Sequence, residues 1–229
     1  MNSLVMNYPA PDYIVWNINE TEEELRASLS HPEYFADKVQ NLKPGSRRLL
    51  EVLAVRRALK ELFYGEEQRV VYDEHGKPSL ADLATAAKTA ETSSQGKKLP
   101  FISISHTQGY AAVISSKVPV GIDIERIGNR VEKVISHFLK EEELVTLSMY
   151  TDQVPALHLA WSAKEAAVKI LGQEFYDLQH LTTFTHIDTE KNTLLLAVNG
   201  RTQPLTVHYD FTEEYVLAWV QDEFCKASN

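Results

Sequence analysis

Two stretches of helical periodicity, 47–63 and 157–171, constrain this chain most, because each is followed by a run of short strands. In 47–63, Leu49, Val52, Leu53, Val55 or Arg56, Leu59 and Leu62 recur near the 3.6-residue period. One face of that helix is therefore apolar and has to be covered. Gly65 supplies its stop, and Gly172 supplies the stop of 157–171. Strand patterns occupy 13–16, 70–72, 101–105, 110–115 and 118–125, then 181–187, 193–198, 205–209 and 215–220. The stretch 101–125 reads as an antiparallel meander, and Asn199-Gly200 as a hairpin turn. The expectation is an α+β fold in two halves, 1–117 and 118–229, each a small antiparallel sheet packed on a long helix.

Composition supports a folded core and narrows the partners. Hydrophobic residues make up 44% of the 229 and charged residues 24%, which is ordinary globular usage. The net charge of −9 argues against a generally basic nucleic-acid binder. Cys225 is the sole cysteine, so no intrachain disulfide forms. The opening residues lack the basic and apolar regions of a signal peptide, and no apolar run reaches the ~20 residues of a membrane helix. These readings predict a cytoplasmic protein with neither membrane nor nucleic-acid partners. The stretch 81–98, rich in Ala, Thr, Ser and Lys, reads as a partly ordered excursion.

Chemistry concentrates in a few acidic residues. In Gly121-Ile122-Asp123-Ile124-Glu125, strand alternation points Asp123 and Glu125 one way and the two isoleucines the other. Adjacent like charges repel unless a cation sits between them, and a hard divalent ion such as Mg²⁺ prefers such oxygens. In the helix 157–171, Trp161, Glu165 and Val168 share a face. A carboxylate on that face needs a partner or a metal. Each motif also has a plain alternative: a solvated strand face for Asp123 and Glu125, and a surface pair with Lys169 for Glu165. Phe138 precedes the acidic run Glu141-Glu142-Glu143, which also serves the dipole of a helix start.

Groups suited to anions form a second set. Gly76-Lys77-Pro78 puts a lysine on a rigid turn, Ser105-His106 closes a strand, and Arg47 and Arg48 open the first long helix. Neither a P-loop nor a G-x-G-x-x-G fingerprint is present.

Taken in order, G-K-P, F-x-x-S-H with Phe101, G-I-D-I-E, F-x-x-x-E and W-x-x-K-E-x-x-x-K resemble the 4'-phosphopantetheinyl transferase superfamily in its longer, Sfp-type form. The resemblance implies two α+β halves related by a pseudo-twofold, with the active site in the cleft between them, in a monomer. It implies transfer of the 4'-phosphopantetheine group from coenzyme A to a serine of an acyl or peptidyl carrier protein, with release of 3',5'-ADP. By the same resemblance Asp123, Glu125 and Glu165 hold Mg²⁺. Lys77 and Pro78 line the adenine side, His106 and Arg47 take the 3'-phosphate, and Lys169 faces the pyrophosphate. Ser105 and Lys164 join the coenzyme A contacts, with Lys38 and Lys43 as further basic candidates. Glu165 is the base for the serine proton and Glu142 the other candidate. A non-catalytic module binding coenzyme A or a carrier on the same fold is the alternative.

Overall fold

The computed structural model describes residues 9–81, 99–148, 150, 152–172 and 177–222. The stretch 82–98, where the excursion was expected, and Cys225 lie outside the described residues. The fold is α+β, with antiparallel pairing throughout its sheets.

The first sheet has the order β1-β5-β4, from Asp12–Asn17, Tyr110–Ser116 and Phe101–Thr107. It packs on α3 (Arg47–Leu62), the first of the two periodic helices. Ser46 caps α3 by accepting a hydrogen bond from the Leu49 amide at 3.3 Å. Leu49, Leu53, Ala54 and Leu59 form its buried stripe, against Ala111 and Val113 of β5. Two short helices, α1 (Glu22–Ala27) and α2 (Ala36–Val39), pack beside it, and Thr21 with Glu24 closes a capping box on α1. The turn at Gly76 joins β2 (Val70–Tyr72) to β3 (Pro78–Leu80), a two-stranded ribbon whose second strand was not expected.

The second sheet has the order β6-β10-β9-β8-β7. Its strands are Val120–Arg126, Tyr215–Gln221, Leu205–Phe211, Thr193–Val198 and Thr182–Asp188. It covers α5 (Gln153–Leu171), while α4 (Glu141–Leu147) and α6 (Leu178–Leu181) pack near β7. Asp152 caps α5, so the helix begins before Pro155, which sits in the first turn where a missing amide costs nothing. At its far end Gly172 takes φ 107°, which an L side chain rarely adopts.

The meander expected over 101–125 stops after two strands. β4 and β5 pair, but β6 leaves them and hydrogen-bonds to β10, with Ala218 opposite Asp123. The two sheets then pack on each other through Tyr110, Ala112 and Ile114 on one side and Ile122, Ile124 and Leu217 on the other. The edge of β6 lies along β4, joined by side chains rather than a backbone ladder. Ser103 Oγ accepts from the Ile122 amide at 3.2 Å, and Thr107 Oγ1 accepts from the Arg126 amide at 3.3 Å. These hydroxyls satisfy part of an edge that would otherwise be left open. The sheets are unequal, three strands against five, and residues 117–119 run between them.

Candidate active site

Strand β6 and helix α5 carry the acidic cluster, and Gly121 lets them approach. A Cβ at that position would stand 2.0 Å from the Ala166 carbonyl oxygen, so only glycine fits there. One residue pair along, Ile122 and Ile124 are wholly buried between the sheets, and Asp123 and Glu125 point to the other side. Asp123 is 5% exposed. Its Oδ1 accepts from the Ser105 hydroxyl at 2.8 Å and from the Lys169 ammonium at 2.9 Å. Its Oδ2 is buried without a partner. The same ammonium donates to the Ile122 carbonyl at 2.6 Å.

Glu125 and Glu165 are half-buried beside this carboxylate. Burial, then the Asp123 charge, pushes Glu125 up to about 7, although Trp161 and Thr107 hydrogen-bond to it and lower it somewhat. Burial and the same Asp123 charge push Glu165 up to about 6, against the pull of Lys169. Three acids thus share one negative field, which is how a cation site and a general base are both prepared. Trp161 is held edge-on against Phe138, with ring centroids 5.2 Å apart. The i, i+4 relation of Trp161 and Glu165 is therefore a real shared face.

The donor set fits a hard divalent cation in its chemistry: three carboxylates, one with an orphaned buried oxygen. As the side chains stand, Asp123 pairs with the Lys169 ammonium, and among the described residues no three acidic, histidine or cysteine groups are gathered closely enough to hold a metal.

The cationic groups gather on the other side of β4. A cavity of about 210 Å³ is lined by Lys38, Arg48, Arg56, Tyr72, Pro78 and His106, among others. Arg56 is 5% exposed, and its Nε and one terminal nitrogen have no partner. Its remaining nitrogen donates to the Tyr72 hydroxyl at 3.3 Å. The Lys38 ammonium sits over the Tyr72 ring, 3.7 Å from the centroid. Arg48 contacts His106, whose Nδ1 lies 3.2 Å from Glu51. Burial would raise the Glu51 carboxyl, but the bond and charge of His106 and the neighbouring arginines hold it below the ordinary range.

Several expected residues fall elsewhere. Lys164 is fully buried: its ammonium pairs with Glu143 at 2.9 Å and bonds the carbonyls of Phe138, Leu178 and Thr182, so it is a core group and not a ligand contact. Glu142 lies exposed on α4 and is not among the charges that shift Glu125 or Glu165; its neighbour Glu143 is the one turned inward. Arg47 is largely exposed and pairs with Glu51, and Arg48 lines the cavity in its place. Lys77 is exposed beside the cavity, with Gly76 and Pro78 in the wall. Ser105 directs its hydroxyl at Asp123. Arg56 and Tyr72 were not singled out from sequence. The only signal was an arginine on the apolar stripe of a helix, where charge needs a reason.

An acidic cluster and a cationic cavity on the two sides of one strand, in an α+β fold, define a site suited to phosphate esters. Residues 119–220 match the family model of the 4'-phosphopantetheinyl transferase superfamily. It is also similar to the 4'-phosphopantetheinyl transferase gsp of Aneurinibacillus migulanus, 26% identical over 172 residues. That similarity takes in 73% of this chain and 65% of the relative, so the chain spans just under two thirds of the curated relative it matches.

Proposed function

We propose that this chain is an Sfp-type transferase of the holo-[acyl-carrier-protein] synthase kind. It moves the 4'-phosphopantetheine group of coenzyme A to a serine of an acyl or peptidyl carrier protein, with Mg²⁺, and releases 3',5'-ADP. The observation that carries the reading is the buried Asp123 with its orphaned Oδ2, flanked by Glu125 and Glu165, whose pKa values burial and then the Asp123 charge raise.

Arg48, Arg56, Lys38 and His106 supply donors for the phosphate of the nucleotide end, and Pro78 and Tyr72 offer apolar faces to its base. Asp123, Glu125 and Glu165 are the residues that would hold Mg²⁺, which when bound supplies charge neutralisation at the pyrophosphate. Lys169 stands at the same carboxylate and neutralises charge on the phosphate of 3',5'-ADP as it leaves. The serine oxygen attacks the β-phosphorus, its proton passes to a carboxylate, and the bond to the 3',5'-ADP oxygen breaks. Glu165, half-buried beside Asp123, is the carboxylate placed to take that proton. The segment 126–147 exposes the apolar Val134, Leu144 and Val145 among Arg126, Arg130 and Lys133 and the acids Glu132, Glu141 and Glu142, so apolar contact rather than net charge would carry the docking of a carrier.

The alternative, a module that binds coenzyme A without chemistry, draws on one observation: Lys169 sits on Asp123 and the carboxylates are not gathered for a metal. Calorimetry separates the classes of ligand. Coenzyme A is expected to bind more tightly than ATP, and more tightly with Mg²⁺ than without. ATP binding more tightly than coenzyme A would point to a different nucleotide enzyme.

A further inference from the structure

Strand β4 presents hydroxyls at every second position, Ser103, Ser105 and Thr107, all toward the open edge of β6. The outer two accept from backbone amides of β6, at 3.2 Å and 3.3 Å. They do what any group satisfying an open edge would do. The middle one differs. Ser105 donates to a carboxylate at 2.8 Å and is itself 9% exposed, so water does not compete with the bond.

The consequence lies in which oxygen is engaged. Ser105 and Lys169 both bond Oδ1 of Asp123, and Oδ2 is left without a partner. Two donors on one oxygen, reaching it from different elements, fix the plane of the carboxylate as well as its rotamer. Without Ser105 only the Lys169 ammonium holds Oδ1, and a carboxylate with one donor can turn about its terminal bond, whose torsion is broad. Its orphaned oxygen would then find a donor of its own, as buried polar atoms do. Thr107 repeats the arrangement more weakly, donating to Glu125 at 3.4 Å.

We infer that Ser105 is a positioning residue: from the opposite sheet it holds Asp123 so that Oδ2 stays unpaired and available to a divalent cation. The inference rests on the reading of Asp123, Glu125 and Glu165 as a cation site. Ser103 supplies the internal control, because it makes the same kind of rung on the same strand but touches no carboxylate.

The test uses the full chain and Mn²⁺ alone as probe, titrated by electron paramagnetic resonance. Ser105→Ala is expected to weaken Mn²⁺ binding about tenfold or more, the usual effect of losing a group that orients a ligand. Ser105→Thr, which keeps the hydroxyl, should recover most of it. Ser103→Ala should lower the melting temperature yet leave Mn²⁺ binding within about twofold of wild type. Equal losses in Ser105→Ala and Ser103→Ala, or no loss in either, would overturn the inference. If wild type fails to bind Mn²⁺, the cation reading falls. The crystal structure of Ser105→Ala then decides the positioning role by itself: a turned Asp123 carboxylate supports it, and an unmoved one refutes it. Should Ser105→Ala not fold, Ser105→Cys, which fills the same volume with a weaker donor, takes its place in both measurements.

Discussion

Lys164 and Glu143 are both without solvent exposure, and each would be costly to bury alone. The pair is complete because the ammonium also has three carbonyls, and the carboxylate also accepts the amides of Lys140 and Phe184. Lys164→Ala should therefore destabilise the protein by about 3–5 kcal/mol in urea unfolding, by stranding Glu143. Replacing both at once, Lys164→Met with Glu143→Leu, should recover most of that loss. Sequence shows why this residue was misplaced. Lys164 and Glu165 are neighbours in a motif, but adjacent positions on a helix point about 100° apart, and only one can face the cleft. The same holds for Glu142 and Glu143, and for Arg47 and Arg48. Residue type and motif spacing bring the right segment to the site; which of two adjacent like residues turns inward depends on what another element places opposite it.

At the scale of elements, the contact of β6 with α5 sets the distance between Asp123 and Glu165. Gly121 is the point of closest approach, with the Ala166 carbonyl where a side chain would begin. Gly121→Ala has to push the strand and helix apart. It should cost about 1–3 kcal/mol of stability, as overpacking does, and reduce cation binding in proportion to the displacement. A melting temperature and Mn²⁺ affinity equal to wild type would show that the contact has slack. Alternation along 120–126 reveals which side chains share a face, and Ile122 and Ile124 are buried as it predicts. It does not reveal the partner strand. β6 looks from sequence like the third strand of a meander, yet its ladder runs to β10, almost a hundred residues further on. Local patterns fix the period of a strand, and only the completed core fixes its neighbour. β3 was missed for a related reason: three residues joined to a turn are too few to show a period.

Across the described residues, three apolar clusters hold the chain: one under α3, one between the sheets and one around α5. The acidic cluster lies where the second sheet meets both β4 and α5, so its charge acts on global stability. Glu125 at about 7 and Glu165 at about 6 both stand above the ordinary 4.5. Between those values the folded protein keeps protons that the unfolded chain releases. Stability from these groups is therefore full below pH about 4.5 and is lost as pH rises through about 6 to 7. Glu125→Gln with Glu165→Gln removes the effect. Relative to that variant, metal-free wild type should lose several degrees of melting temperature between pH about 5 and pH about 8, at about 2–4 °C per kcal/mol. A difference that stays constant with pH would mean that the two carboxyls titrate as they do in water. No helix among the described residues is long and apolar enough to cross a membrane.

In the proposed reaction the acidic cluster and the cationic cavity together move a phosphopantetheine group. Intact-mass spectrometry of a panel of apo carrier proteins, incubated with this protein, coenzyme A and Mg²⁺, tests it directly. At least one carrier should gain a single phosphopantetheine, on its serine, and Asp123→Asn should slow that gain about a hundredfold or more. Coenzyme A binding with no adduct on any carrier would contradict the claim, and so would an adduct formed equally fast by Asp123→Asn.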